Sequence, residues 1–148
     1  MFPFKTKTAH AHCDGPCGVY DPSSARIGAE AVLSMTKKLL DLKMPDPTHQ
    51  KALIEYLNTF NRYVNIKEEQ AQKAKEELLI LWTDYFKPQH LEAFPDLHNV
   101  FWQAAKLCSE CKVHVSLESA EKLMETVKKI HDMFWKSKNK DVPWIPAS

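Results

Sequence analysis

The chain has 148 residues, 44% hydrophobic and 26% charged, the size and balance of one globular domain with a core of its own and no room for a second. A formal net charge of +1, with no long basic or acidic run, leaves no electrostatic footprint for nucleic acid. No apolar run approaches the roughly 20 residues that cross a bilayer, so neither a nucleic acid nor a membrane is an expected partner.

In chain order, the first segment, "MFPFKTKTAHA", is interrupted by Lys5 and Lys7 and is too short and charged for a secretory signal. It ends in Ala9-His10-Ala11, a small-residue pattern of the kind peptidases cut after. Next comes "HCDGPCGVYDP", His12 to Pro22. Gly15 and Gly18 can take backbone angles barred to other residues and Pro16 fixes a bend, so the thiols of Cys13 and Cys17 can converge on one point. A soft two-sulfur site of this kind suits zinc, copper(I), an iron-sulfur cluster, or nickel in a square plane with nitrogen donors.

The remainder reads as all-α, because the three glycines, at 15, 18 and 28, leave no turn chemistry for sheets. Asp21 as N-cap and Pro22 at the first helical position open helix one, whose apolar set Ala31, Val32, Met35, Leu39 and Leu42 runs until Met44–Pro47 stops it. From Thr48 the residues Leu53, Leu57, Phe60, Val64, Ala71, Ala74, Leu78, Leu81 and Tyr85 keep one face. They predict a second helix of roughly 37 residues, about 55 Å long, with a bend expected near Asn61 to Asn65. "KPQHLEAFP" breaks it with two prolines, and a third helix runs from Pro95 to about Val113 with Leu97, Phe101, Ala104, Ala105 and Cys108 inward. The fourth starts near Ser116 and buries Leu117, Ala120, Leu123, Met124, Val127, Ile130, His131 and Phe134. Four helices with short connections make an antiparallel four-helix bundle. The closing "DVPWIPAS" is a tail expected to lie against a neighbour.

The other constellations carry less. Cys108 and Cys111 are three apart in a run without turn residues, one helical face of packing or surface thiols. His49, His90, His98, His114 and His131 show no metal-ligand spacing. Trp82, Trp102 and Trp135 are expected in the core or at subunit contacts. Two rival readings stay open on the residues alone. One is a structural zinc module joining Cys13 and Cys17 to Cys108 and Cys111; the other is a disulfide-exchange site or a helical interaction module. Four cysteines without a secretory signal fit reduced thiols or metal ligands, and a cytoplasmic protein.

The stretch His12 to Pro22 resembles the nickel hook of the nickel superoxide dismutase family, His-Cys-x-x-Pro-Cys-Gly-x-Tyr, at every fixed position. "LWTDYFKP" at Leu81 to Pro88, "PDLH" at Pro95 to His98 and the "FW" at Phe134-Trp135 resemble further segments of that family, so the likeness spans residues 12 to 138. The resemblance implies a homohexamer of four-helix bundles, one nickel ion per subunit, superoxide as substrate, and a leader, residues 1–11, removed by a dedicated peptidase. The mature domain is then 12–148, with the hook at 12–20, the bundle at about 22–138 and the tail at 139–148. By the same resemblance the metal ligands are the His12 amine and imidazole, the Cys13 amide nitrogen and thiolate, and the Cys17 thiolate. Tyr20 stands over the open coordination face, Asp14 helps hold the hook, and Tyr85 is a hydrogen-bond partner for Tyr20. Where some members have a glutamate and an arginine that orient the axial histidine, this chain has Gly28 and Gln70, so His12 must find another partner, with Glu30, Arg26 or a backbone carbonyl as candidates.

Overall fold

The computed structural model describes residues 18–147. Four helices account for most of them: α1 (Ser23–Asp41), α2 (Gln50–Ile80), α3 (Leu97–Val113) and α4 (Leu117–Ser137), with no strand among the described residues. Each helix packs on two others, α1 and α3 both against α2 and α4. With short connections between successive neighbours, this is the up-and-down order of an antiparallel four-helix bundle.

The helix ends follow local chemistry. Asp21 accepts the Ser23 amide at 2.7 Å, so α1 begins one residue later than the capping pattern predicts, with Pro22 at the boundary. The apolar set of α1 gives out at Asp41, ahead of Pro45 and Pro47. At α4 the hydroxyl of Ser116 accepts the Ser119 amide at 3.2 Å, the expected N-cap. Helix α2 is a shorter α-helix than its apolar face suggests: 31 residues, about 46 Å at the usual rise. It runs through 61–65 without interruption and then widens into a π-helical turn, Leu81–Tyr85. A 3-10 turn, Pro88–Leu91, follows and leads to α3, which starts at Leu97 rather than Pro95.

The core is one cluster. Small residues let α1 and α2 approach, Ala25, Ala29 and Val32 meeting Ala71, Ala74 and Leu78, while Phe101, Leu123, Val127, Ile130 and Phe134 fill the space towards α3 and α4. At Gly28 the approach is close enough that a Cβ would stand 3.0 Å from both the Ala74 Cβ and the Gln70 carbonyl oxygen. The first half of α2 departs from expectation. Leu57 and Phe60, on its apolar face, remain 47% and 38% exposed, and Ile54 beside them is 58% exposed.

The tail turns back on its own bundle. Trp144 packs edge-on against His131 at 5.3 Å, and His131 Nε2 pairs with the Val142 carbonyl at 2.9 Å. Trp82 and Trp135 pack against the core, one of the two settings expected of the tryptophans, and Trp102 is 54% exposed on the single subunit.

Two charged side chains, Glu30 and Lys67, are buried among the described residues, and Lys67 the more completely. Lys67, on α2, is 1% exposed, and its ammonium donates to the carbonyls of Cys111, Lys112 (3.2 Å) and His114 (3.1 Å). Those oxygens close the end of α3, where helical carbonyls lack internal partners and the macrodipole is negative. Burial draws the Lys67 pKa below the ordinary lysine value, and the three carbonyl oxygens are what offset that loss of water. Replacing Lys67 with Met keeps the volume but strands the three acceptors. The Lys67→Met variant is expected to lose roughly 2–4 kcal/mol of stability, read from its urea midpoint, with the helical spectrum of the folded state retained.

Candidate functional site

The described chain enters at Gly18, which holds a left-handed φ of 65° that favours glycine. Two residues later Tyr20 lies against the bundle, its ring 5.6 Å from that of Tyr85 and tilted by 55°. Tyr85 is the last residue of the π-helical turn, whose wider hydrogen bond runs from the Phe86 amide to the Leu81 carbonyl at 3.0 Å. The extra residue in that turn rotates Asp84 and Tyr85 relative to where an unbroken α-helix would point them. Both then line a cavity of about 430 Å³ together with Gly18, Tyr20, Lys87, Gln89 and His90.

Aromatic contacts hold Tyr85 in this wall. Its ring meets Phe86 edge-on at 4.9 Å, Phe134 at 4.5 Å, and His90 nearly parallel at 5.7 Å. The Lys138 ammonium sits over both Tyr85 and Phe134, at 5.3 and 4.7 Å from the ring centres. His90 is fixed in turn, since its Nδ1 accepts the Lys87 amide at 3.0 Å, which places the proton of the neutral ring on Nε2. The Tyr85 hydroxyl pairs with Ser137 Oγ of α4 at 2.6 Å. Between Tyr20 and Tyr85 the described contact is ring to ring.

Of the residues expected at the site, Tyr20 and Tyr85 are brought together at this cavity; His12, Cys13, Asp14 and Cys17 lie outside the described residues. The two departures, Gly28 and Gln70, face one another across the α1–α2 contact and share a second cavity, of about 390 Å³, with Ser24, Ile27, Lys73, Glu76 and Glu77. Arg26 and Glu30, candidate partners for His12, engage each other at 2.8 Å in a largely buried i,i+4 ion pair. Ser137 and Lys138 carry no sequence signal of their own. They could have been found only by noticing that they follow the Phe134-Trp135 pair by one turn, on the end of α4 that reaches Tyr85.

The chain as a whole has recognisable relatives. The model of the family described as nickel-containing superoxide dismutase matches residues 7–138. The chain belongs to the nickel-containing superoxide dismutase family. The "Superoxide dismutase [Ni]" of Streptomyces seoulensis is 38% identical over 138 residues, 93% of this chain and 95% of that protein. The protein of the same name from Streptomyces coelicolor is 37% identical over 131 residues, 88% and 91% of the two chains. Among solved structures, a nickel-containing superoxide dismutase with nickel ligation of the oxidised state superposes with a TM-score of 0.74 at 37% identity. It covers 86% of this chain and 99% of its own. A native nickel superoxide dismutase structure gives the same TM-score at 36% identity and the same coverage.

The setting of Cys108 and Cys111 does not suit metal chemistry. Both are free thiols facing the core, 0% and 2% exposed. Burial, and then the neighbouring Cys111, push the Cys108 thiol up to about 12; burial pushes Cys111 up to about 11 against the opposing effect of Lys67. A thiol held protonated at neutral pH is a poor metal ligand and a poor nucleophile. Among the described residues no three histidine, cysteine or carboxylate side chains gather where an ion could sit. The four-sulfur zinc reading therefore has no support. In a Cys13→Ser, Cys17→Ser double variant, Cys108 and Cys111 are expected to resist a disulfide reagent such as dithionitrobenzoate at neutral pH and to react once denaturant is added. Rapid labelling of the folded protein would show the thiols to be accessible.

Proposed function

We propose that this chain disproportionates superoxide to O2 and H2O2 with a nickel ion held by its N-terminal segment, residues 12–17. The observation that carries the reading is the family match across residues 7–138, which takes in both Cys13 and Cys17 and the cavity wall at Tyr20 and Tyr85. The donor set fits the metal. Two thiolates with nitrogen donors are soft, anionic ligands that suit nickel in a square plane. In this reading the ligands are the thiolates of Cys13 and Cys17, the Cys13 amide nitrogen, the amine of His12 and the His12 imidazole. When bound, nickel supplies one-electron chemistry, alternating between nickel(II) and nickel(III) as one superoxide is oxidised and the next reduced.

The chain's own residues do the rest. Tyr20, three positions beyond Cys17, stands at the cavity and limits what approaches from it, while Tyr85 backs it with an immobile ring. Asp14 holds the turn of the hook. Gly28 offers no side chain that could orient the His12 imidazole, and Arg26, Glu30 or a backbone carbonyl would take that place.

Assembly into a homohexamer, in a cytoplasmic setting, belongs to the same reading. It is supported by the apolar stripe Ile54, Leu57 and Phe60, which the bundle itself leaves uncovered. No helix among the described residues is long and apolar enough to cross a membrane.

The His12 amine exists only after a peptidase cuts between Ala11 and His12. A free amine with a pKa of about 8 can give up its proton to a metal, whereas a chain amide is a poor donor. Nickel added to the intact 148-residue chain, verified uncut by mass, is expected to yield little dismutation, and the chain beginning at His12 is expected to be active. Equal activity of the two forms would remove the amine from the ligand set. In the processed form, Cys13→Ser or Cys17→Ser is expected to abolish nickel retention while leaving the helical content unchanged; full nickel content in either would overturn the assignment.

A further inference from the structure

The hydroxyl of Tyr85 is part of a two-step chain of hydrogen bonds. Tyr85 and Ser137 lie 2.6 Å apart, hydroxyl to hydroxyl, and Ser137 Oγ is 2.7 Å from the carbonyl oxygen of Phe134, one turn back on α4. Taken alone, the first contact has no direction, because either oxygen can donate. The second removes that freedom. A carbonyl oxygen only accepts, and a serine hydroxyl has one proton, so Ser137 gives its proton to Phe134 and must accept from Tyr85. The sequence of donors is Tyr85, then Ser137, then the backbone of α4.

We propose that Ser137 is a positioning residue that turns the Tyr85 proton towards α4, so that Tyr85 presents the cavity with lone pairs and no proton. The contacts around the ring keep this arrangement in place. Phe86, Phe134 and His90 pack on Tyr85, and the Lys138 ammonium over its face opposes tilting. Because the pairing is part-buried, its loss is not made good at once by bulk water.

The consequence is selective, and it rests on the superoxide reading above. Superoxide and other small anions accept hydrogen bonds and offer none, so Tyr85 cannot hold them. Water and hydrogen peroxide carry protons and can donate to its free lone pair, as can another hydroxyl. Tyr85 is thereby an acceptor wall that favours the protonated product and its solvent over the anionic substrate. Anchoring of the anion is left to other groups at the cavity.

The direction of the Tyr85 proton can be read from the intensity ratio of the tyrosine Fermi doublet in the Raman spectrum, which separates donating from accepting phenols. The spectrum of the full chain minus that of Tyr85→Phe isolates the Tyr85 component from the other three tyrosines without any need for nickel. That component is expected to have the donor ratio, to lose it in Ser137→Ala, and to keep it in Ser137→Thr, which retains a hydroxyl. In processed, nickel-loaded protein, azide serves as a non-reacting anion. Freed from Ser137, the Tyr85 hydroxyl can donate into the cavity, so Ser137→Ala is expected to bind azide about two- to tenfold more tightly, the worth of one hydrogen bond. The gain is expected to vanish in Ser137→Ala, Tyr85→Phe and to be absent in Ser137→Thr. An acceptor ratio for Tyr85 in the unaltered chain, or an azide gain that survives loss of the Tyr85 hydroxyl, would overturn the proposal. Should Ser137→Ala fail to fold, the spectrum of the unaltered chain against Tyr85→Phe still decides it. A chain that shows the donor ratio but no dismutation would refute the superoxide reading and leave the role of Ser137 standing.

Discussion

The geometry of the cavity depends on a single change of pitch in the longest helix. Had α2 continued as an α-helix through Leu81–Tyr85, Asp84 and Tyr85 would point elsewhere. The one-residue expansion, with the Phe86 amide bonded five residues back to Leu81, sets their direction. Such a turn is less favourable than the helix it replaces, and it persists here because its surroundings hold it. Leu81 is buried at its start, Phe86 at its end, and Tyr85 is gripped by aromatic rings, a lysine and a serine hydroxyl. Packing specifies the turn, and the turn in its place specifies the cavity.

Much of this was legible in the residues, and the reason is periodicity. The stripe of α4 from Leu117 to Phe134 and its Ser116 cap can be read directly, because both depend only on neighbours within a turn or two. The fourth helix appears where it should. The π-helical turn cannot be read this way. "LWTDY" contains no breaker, and its conformation is imposed by contacts with α4 some fifty residues later. Ser137 and Lys138 were invisible for the same reason. The hook motif was the most specific signal in the sequence, yet the residues proposed as ligands lie outside the described ones, and what the structure contributes is the cavity at Gly18, Tyr20 and Tyr85 where the described chain begins.

A second lesson concerns apolar faces. Leu57 and Phe60 continue the helical stripe of α2 without a break, so periodicity alone places them in the core. Their exposure shows that an amphipathic pattern says a face is to be covered and not by what. The polar counterpart is Lys67, where a charged residue among Ala71, Ala74 and Leu78 reads as solvated but is fully enclosed. Its charge is matched by the carbonyls at the end of α3, forty-four to forty-seven residues away along the chain. Neither exception breaks the physics of burial; each is resolved by a partner that the local sequence does not contain.

The alignment of Tyr85 has a further meaning for how the protein is made. The wall around it draws on Gly18 and Tyr20, on the turn ending at Tyr85, and on Phe134, Ser137 and Lys138 at the far end of α4. A nascent chain emerges from the ribosome in order, so the entry segment is exposed first and the residues that fix its docking surface come last. On the proposed reading, nickel captured by Cys13 and Cys17 as they emerge would meet an unfinished wall. A leader removed only after the fourth helix is made would avoid that mismatch and would place assembly of the proposed site after translation.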